Sequence, residues 1–205
     1  MVVVDYQAGN LRSVVRALER MGARPEVSDS PREVMSADAL VLPGVGAGDA
    51  AIEALRSRGL VEPLREFAAS GRPFLGVCLG LQLLMDATDE GDVACLGVVR
   101  GRTRRLPPGR KVPHMGWNLV DVRGEHPALK GMPSRAYFYF VHSYYAEPED
   151  SGLVLGVTEY GVEFCSVLGR GNVLATQFHP EKSGPLGLAI YGNFLEHAAL
   201  VAAGG

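Results

Sequence analysis

One cysteine lies in a setting that turns a thiol into a nucleophile. The segment Phe74 to Gln82 reads FLGVCLGLQ, so Cys78 lies between Gly76 and Gly80 where an apolar strand pattern gives way to a helical one. A strand, a tight G-x-C-x-G turn and a helix form a nucleophile elbow, and a helix N-terminus favours a thiolate. Isolated free cysteines are usually small buried residues, so this interpretation rests on the glycines and the strand-to-helix context.

The other two cysteines lack this context. Cys95 and Cys165 lie inside apolar strand patterns without such a turn, and we interpret them as structural residues. Three cysteines without CxxC spacing argue against a disulfide framework or a structural zinc site. The backbone N–H of Leu79, which follows Cys78, is placed to bind an oxyanion.

A cysteine nucleophile requires a base, and the base requires an orienting group. His179 is the best candidate, because a strand pattern at residues 173–177 ends just before it and Glu181 follows two residues later. The chain order Cys, His, Glu differs from that of an ordinary α/β-hydrolase, whose acid precedes the histidine. Spacing alone does not exclude His114 or His142 as the base. The remaining histidines, a turn residue and a helix-surface residue by pattern, are His126 and His197.

A glycine-rich loop, PGVGAG at residues 43–48, follows a predicted strand. Such a loop at the carboxyl end of a strand presents backbone N–H groups to a ligand. Phosphate binding has weak support, since neither GxGxxG nor the P-loop lysine pattern is present. We therefore expect Gly44, Val45 and Gly46 to supply a second oxyanion donor beside the cysteine.

Short apolar runs alternate with helical patterns in the first half of the chain. These repeated β-α units predict an α/β fold with a doubly wound, mostly parallel sheet flanked by helices and right-handed crossovers. The predicted strands are residues 2–5, 24–27, 39–42 and 73–77, and the predicted helices are residues 11–21, one or two within 49–70, and 79–85.

The second half has a different residue pattern, in which short strand patterns are separated by glycine and proline. This spacing predicts an added antiparallel strand section. A basic cluster at residues 100–105 reads as a solvated loop in preference to an anion or partner contact. No linker divides the chain, so we expect one domain over residues 1–205. The predicted strands are residues 95–99, 137–141, 153–158, 163–168 and 173–177, and a closing amphipathic helix covers 186–201.

Composition excludes several classes of protein. The 205 residues are 47% hydrophobic and 21% charged with a formal charge of -3, which disfavours disorder and broad attraction to nucleic acid or lipid. No uninterrupted apolar run approaches the ~18 residues of a membrane helix, and the N-terminus does not read as a signal peptide. We expect a cytoplasmic protein that binds neither nucleic acid nor membrane. No HExxH or paired Cys/His spacing is present, so we predict no metal and no cofactor.

Two motifs together resemble the class I (triad) glutamine amidotransferases. They are GVCLGLQ at residues 76–82 and QFHPE at residues 177–181. Further motifs between residues 5 and 183 are similar to the branch of that family comprising the glutaminase subunits of imidazole glycerol phosphate synthases: GNLRS, PGVG, PHMGWN, YFVHSYY and HPEKS. Two positions depart from the pattern, since Gln7 replaces a common glycine and Gly48 a common phenylalanine.

The resemblance implies a mechanism and a partner. Cys78, His179 and Glu181 would hydrolyse glutamine through a glutamyl thioester, without a cofactor. The ammonia would enter a (β/α)8-barrel cyclase subunit in a heterodimer, which makes imidazole glycerol phosphate and aminoimidazole carboxamide ribotide in histidine biosynthesis. By the same resemblance, the glutamine pocket is lined by Gln82, Ser143 and Tyr144, and the partner is faced by Tyr139, Trp117, Asn118 and Lys182.

Other functions remain open from the residues alone. One is the glutaminase subunit of another amidotransferase, such as that of anthranilate or pyridoxal phosphate synthesis, against which PHMGWN argues. Another is a catalytically silent binding module of the same fold, against which the intact Cys78, His179 and Glu181 argue. A metal-dependent hydrolase is disfavoured because its ligand motifs are missing.

Overall fold

Thirteen strands and six helices are formed by residues 1–7 and 9–204, the part of the chain that this computed structural model describes. The strands are β1 Val2–Val4, β2 Glu26–Ser28, β3 Leu40–Leu42, β4 Phe74–Val77, β5 Ala87–Thr88, β6 Val93–Ala94, β7 Gly101–Arg105, β8 His114–Val122, β9 Arg135–His142, β10 Tyr144–Pro148, β11 Val154–Glu159, β12 Glu163–Arg170 and β13 Val173–Thr176. The helices are α1 Leu11–Arg20, α2 Pro31–Ser36, α3 Gly48–Ser57, α4 Val61–Ala69, α5 Leu79–Gln82 and α6 Gly184–Gly204.

The apolar strands of the first half pair in parallel in the order β2-β1-β3-β4, and β13 returns to lie parallel beside β4. Both faces of the inner strands β1, β3 and β4 are covered: in β1, Val2 and Val4 join one apolar core and Val3 joins the other, whereas β2 at the edge exposes Glu26 and Val27. This arrangement explains why the strands read as continuous apolar runs. It also places the carboxyl ends of β3, β4 and β13 side by side.

Helices cover the two faces of the sheet. On one face α3 and α4 bury Ile52, Leu55 and Phe67, whereas on the other α1 and α6 bury Leu18 and Phe194. Fully burying one such side chain contributes about 1.5–3 kcal/mol. The two cores therefore hold the parallel strands rigidly between helix layers.

An antiparallel section extends the sheet from β12, which pairs antiparallel with β13. One branch continues through β10, β7, β5 and β6, in which only the β7–β5 pair is parallel, and the other continues through β11, β8 and β9. The predicted fold class is therefore confirmed: a doubly wound, mostly parallel sheet flanked by helices, with an added antiparallel section in the second half.

Several local predictions were wrong. Residues 95–99 form no strand, and the predicted loop at residues 100–105 contains β7, in which Thr103 is buried while the arginines around it point outward. The second strand begins two residues later and ends one residue later than predicted, and α5 ends at Gln82, before residue 85. Helix α2 and strands β5, β6, β8 and β10 were not predicted.

Helix α6 is long and apolar enough to cross a membrane by length and composition alone. One such helix is weak evidence for a membrane span, because core helices pass the same test. Here Ile190, Tyr191 and Phe194 of α6 are fully buried against the sheet. The buried face of the helix thus forms one wall of the core that supports the site described next.

Candidate active site

Cys78 occupies a strained turn between β4 and α5. Its φ of 55° and ψ of -104° lie where side chains are rarely found, and such strain of about 1–3 kcal/mol is typical of functional positions. The N–H of Cys78 donates to the carbonyl oxygen of Thr176 in β13 at 2.7 Å, which holds the turn against the neighbouring strand. The structure thus has the predicted nucleophile-elbow geometry.

The glycines of the elbow are required by space. A Cβ on Gly80 would lie 2.0 Å from the carbonyl oxygen of Leu42, and one on Gly76 would lie 3.0 Å from the Cβ of Ala175. The first contact involves backbone that cannot move without displacing β3. The small residues therefore let α5 approach β3 and β13 closely enough to close the turn.

We expect Gly80→Ala to lower the free energy of unfolding by about 3 kcal/mol, because the added methyl group overpacks backbone. Denaturant unfolding followed by circular dichroism measures the change. The matched control is Gly48→Ala, where the nearest atom to a new Cβ is 3.4 Å away. Equal stability of the two variants would contradict this account of the elbow.

His179 and Glu181 meet beyond the end of β13. Pro180 opens a single turn of 3-10 helix, Pro180–Lys182, and this turn brings the carboxylate back to the imidazole. The Nδ1–H of His179 donates to Oε1 of Glu181 at 2.7 Å, and both side chains are almost completely buried. The Nε2 of His179 is buried without a hydrogen-bond partner among the described residues. It is thus the nitrogen left for Cys78.

The charges of Cys78, His179 and Glu181 shift the pKa values of the histidine and the glutamate in opposite directions. Burial of the imidazole opposes its charged form, but the negative charge of Cys78 and the hydrogen-bonded Glu181 outweigh burial and raise the pKa of His179 to about 10. Burial would likewise raise the pKa of Glu181, yet hydrogen bonds from His179 and Asn10 lower it below its ordinary value. The histidine is therefore held as the proton carrier and Glu181 as its anion.

Asn10 and Tyr191 complete the surroundings of Glu181, and sequence reasoning missed both roles. The Nδ2 of Asn10 donates to Oε1 of Glu181 and lies 3.4 Å from Nδ1 of His179, while the hydroxyl of Tyr191 donates to Oε2 at 3.2 Å. Asn10 has a left-handed φ of 72° at the start of α1. Its place in the GNLRS motif was the only available signal.

A cavity of about 210 Å³ opens beside the cysteine. It is lined by all three residues predicted for the glutamine pocket, Gln82, Ser143 and Tyr144, together with Cys78. Sequence reasoning missed one charged lining residue, Glu90, whose carboxylate accepts a hydrogen bond from the N–H of Gly48 at 2.5 Å. The pocket thus combines a thiol with polar walls and one acid. Further lining residues are Val45, Gly46, Leu79, Val141 and His142.

A larger cavity of about 590 Å³ lies near His126, around residues 122–132. Its lining contains none of the Cys78, His179 and Glu181 cluster, so its size does not make it the centre of this chemistry. Among residues 1–7 and 9–204, no three His, Cys, Asp or Glu side chains are grouped to hold a metal ion.

The predicted oxyanion donors are close together, but one is occupied. The N–H of Leu79 donates to the carbonyl oxygen of Gly44 at 3.3 Å. Gly44 itself packs against Tyr6, whose hydroxyl donates to the carbonyl oxygen of Pro43 at 2.8 Å. Val45 and Gly46 line the cavity, and Gly46 has a φ of 114°. The carbonyl oxygen of Gly44, which would repel an oxyanion, therefore occupies the Leu79 N–H that we expect to bind the oxyanion.

The positions that depart from the family pattern have defined local structure. Gln7 has a left-handed φ of 67°, a conformation that suits the more common glycine. Its N–H donates to the Asp5 carboxylate at 2.8 Å, which helps to hold the turn. Gly48 is the first residue of α3.

Three of the four predicted partner residues form one surface group, in which Trp117 and Lys182 are exposed and Tyr139 is half-buried. Trp117 and Tyr139 face each other across β8 and β9 with ring centres 6.3 Å apart, and Nζ of Lys182 lies 5.9 Å from the Tyr139 ring. Asn118 points to the opposite face, where its Nδ2 donates to the carbonyl oxygen of Glu159 at 3.0 Å. Two further exposed apolar side chains on the Trp117 face were not predicted, Met115 and Tyr137.

Cys95 and Cys165 are buried and free, and neither lines the cavity beside Cys78. Burial raises the pKa of Cys95 to about 11 and that of Cys165 to about 12. Both are protonated thiols at neutral pH, which agrees with their interpretation as structural residues.

A model of a known protein family matches almost the whole chain. The family is described as "Glutamine amidotransferase class-I", and it matches residues 2–198. This chain therefore belongs to the class-I glutamine amidotransferase family.

Curated relatives are more specific. The chain is 47% identical over 199 residues to "Imidazole glycerol phosphate synthase subunit HisH" of Dehalococcoides mccartyi, with 97% of each chain covered. It is 48% identical over 193 residues to the protein of the same name from Desulfitobacterium hafniense, covering 94% of this chain and 92% of the relative.

Solved structures share the fold at low sequence identity. A crystal structure of a glutamine amidotransferase superposes with a TM-score of 0.76 at 23% identity, covering 97% of this chain and 98% of the other. A chain in the structure of PurLQS from Thermotoga maritima gives 0.75 at 18% identity, covering 96% and 97%. These likenesses establish the fold, and the predicted α/β class agrees with them.

Proposed function

We propose that this chain is the glutaminase subunit of an imidazole glycerol phosphate synthase, which hydrolyses glutamine and delivers the ammonia to a cyclase subunit in histidine biosynthesis. One observation carries the chemistry: Cys78 lies at a strained elbow and interacts electrostatically with His179, whose Nδ1 is held by Glu181 and whose Nε2 has no hydrogen-bond partner within residues 1–7 and 9–204. The names of the relatives support the pathway.

In the proposed reaction, the Cys78 thiolate attacks the side-chain carbonyl carbon of glutamine and forms a tetrahedral oxyanion. Collapse of this intermediate breaks the C–N bond, and His179 gives its proton to the departing nitrogen, which leaves as ammonia. A water molecule, deprotonated by His179, then attacks the thioester. Glutamate leaves, the Cys78 sulfur departs as a thiolate, and no cofactor takes part.

Charge in the pocket supports recognition of an amino acid. The carboxylate of Glu90 lines the same cavity as Cys78 and is suited to bind the α-ammonium group of glutamine. Ser143 and Tyr144 line the same cavity and would contact the rest of the substrate. Gln82 shapes the wall, because its amide donates to the carbonyl oxygen of Tyr144 at 2.7 Å.

The oxyanion site supports an inactive resting state. The Gly44 carbonyl accepts the Leu79 N–H, so the 44–45 peptide has to turn before Leu79 and the loop of Gly44, Val45 and Gly46 can both donate to an oxyanion. One well-placed donor is worth about 3–4 kcal/mol in comparable sites. We propose that partner binding turns this peptide. Identical loop orientations in crystals of the free and activated protein would contradict the idea.

The partner face is proposed to be the surface group of aromatic side chains on β8 and β9. Trp117 and Tyr139, with Lys182 beside them, suit an interface because large aromatic side chains anchor interfaces. The partner is expected to be a (β/α)8-barrel cyclase in a heterodimer. Asn118 is directed inward, so any part it plays in that interface would pass through the strand that carries it.

We also propose that residues 1–205 act as one glutamine amidotransferase domain in the cytoplasm. The continuous sheet that joins the first and second halves supports the single domain. Three free, buried cysteines support a reducing compartment.

Asn10→Gly is expected to lower kcat for glutamate release about tenfold, because the Glu181–His179 pair loses a hydrogen-bond donor that fixes it. Glycine accepts the left-handed φ of 72° at this position, so the backbone stays unstrained. Steady-state kinetics in the complex measure the effect. An unchanged kcat in a fully folded variant would remove Asn10 from the site.

Glutamate release from glutamine tests the proposed function, measured for the pure chain alone and then with the cyclase subunit and its nucleotide ligand. We expect activity to appear in the complex. Glutamate release that is the same with and without the cyclase would support the proposed chemistry but would place the chain in another pathway. No activity under any condition would leave only the fold.

A further inference from the structure

Two buried histidines outside the triad face each other at the pocket. His114 on β8 and His142 on β9 are directly opposite in the strand register, and Nδ1 of His114 lies 2.9 Å from Nε2 of His142. Both are buried, and His142 lines the cavity beside Cys78. The proposed reaction assigns neither of them a task.

The hydrogen-bond partners determine which nitrogen of each ring carries the proton. Nδ1 of His142 lies 2.8 Å from the carbonyl oxygen of Tyr144, which only accepts, so Nδ1 carries the proton and Nε2 is an acceptor. His114 must therefore donate to it through Nδ1–H. The Nε2 of His114 is then an acceptor and receives Nδ2–H of Asn118 at 3.2 Å.

The orientation of Asn118 is fixed as well. Its Oδ1 accepts the N–H of Leu119 at 2.8 Å, and its Nδ2 also donates to the carbonyl oxygen of Glu159 at 3.0 Å. Burial lowers the pKa of His114 to about 4. Burial, aided by the neighbouring histidines, lowers the pKa of His142 to about 3 despite its bond to Tyr144. Both rings are neutral at pH 7, so all donors point from Asn118 toward the pocket.

The chain of hydrogen bonds continues to the nucleophile. The Tyr144 carbonyl that receives His142 also receives Nε2–H of Gln82 at 2.7 Å. Gln82 also donates to Oε1 of Gln177 at 3.1 Å, and Nε2 of Gln177 donates to Sγ of Cys78 at 3.6 Å. An unbroken series of contacts thus runs from the inner face of β8 to the sulfur.

We propose that His114 and His142 are positioning residues of the glutaminase site. Their directional hydrogen bond holds Tyr144 and Gln82, which form one wall of the pocket, in a fixed position relative to the ribbon formed by the antiparallel strands β8 and β9. Through this wall the pair also positions Cys78. The same ribbon carries Trp117 and Tyr139 on its outer face. A shift of the ribbon by a partner therefore reaches the pocket through His114. This inference rests on the proposed function.

The test uses His114→Phe in the complex with the cyclase subunit. Phenylalanine keeps the stacking of this ring on Phe140 and Tyr160, at 4.9 and 4.0 Å between ring centres, but removes the donor to His142. We expect kcat/KM for glutamate release to fall about 10- to 100-fold, as misplacement of reacting groups does, while affinity for the cyclase stays within about twofold of the wild type. The control is His126→Asn. This residue is a buried histidine that takes no part in the hydrogen bonds between Asn118 and Cys78, so its substitution should leave kcat/KM unchanged.

Side-chain 15N NMR of the wild-type protein provides a second readout that needs no variant. We expect His114 and His142 to be neutral and protonated at Nδ1 at pH 7. An Nε2–H tautomer at His142, or a folded His114→Phe variant with wild-type kcat/KM, overturns the inference. If the wild-type complex itself releases no glutamate, the proposed function fails and the inference falls with it; activity in the wild type equal to that in His114→Phe contradicts the inference alone.

Discussion

Cys78→Ala will abolish glutamate release in the complex with the cyclase subunit, with a loss of about 100,000-fold or more in kcat. The thioester cannot form without the sulfur, and water held in the pocket is a far weaker nucleophile. The side chain is 4% exposed, and alanine fits the same space, so the fold should remain intact. Coupled assay of glutamate with an unfolding curve for the same preparation measures both effects.

The matched controls for this change are Cys95→Ala and Cys165→Ala. Both remove a buried free thiol, and both thiols have a raised pKa because of burial. Each substitution should lower the free energy of unfolding, because it leaves a small cavity in the core, and should leave kcat unchanged. Equal losses of kcat in all three variants would show that the Cys78 effect comes from damage to the fold.

His179→Asn will lower kcat about 10,000-fold. The asparagine amide lies where Nδ1 of the imidazole was and continues to donate to Glu181, so the packing of the pair is kept. Nothing replaces Nε2, which has no other partner among residues 1–7 and 9–204. The variant therefore lacks the group that protonates the leaving nitrogen and then activates water.

His197→Asn is the control for the second prediction. This histidine is half-buried on α6 and its Nε2 lies 3.2 Å from Oδ1 of Asn172, away from the pocket. Its kcat should equal that of the wild type. A His179→Asn enzyme that retains more than about a tenth of the wild-type kcat would contradict the assignment of the proton carrier.

The sequence predicted the core of the site because its signals are local. Strand, glycine, cysteine and glycine are consecutive around Cys78, and His179 and Glu181 are two residues apart. Contacts between distant segments carried no such signal. Asn10 reaches Glu181 from the far end of the chain, and Glu90 enters the pocket from the turn before β6.

The same distinction explains the errors in the fold. Parallel strands buried on both faces read as apolar runs and were found. In strand β7 the buried residues Gly101 and Thr103 alternate with arginines that point outward. Because neither buried residue is strongly apolar and the others are charged, the sequence lacks the alternation of apolar and polar residues that predicts a strand. Strand β8 begins next to Pro113 and contains Gly116, and in a sequence proline and glycine are typical of turns. The occupied Leu79 N–H depends on one peptide orientation, which a residue pattern does not specify.

Covalent labelling of the complex identifies the nucleophile directly. The reagent is a glutamine analogue with an electrophilic carbon in place of the amide, and peptide mapping by mass spectrometry locates the adduct. We expect one adduct, on Cys78, that glutamine suppresses and that Cys78→Ala abolishes. A labelled Cys95 or Cys165, or no adduct on Cys78 with the cyclase subunit and its nucleotide ligand present, would contradict this expectation.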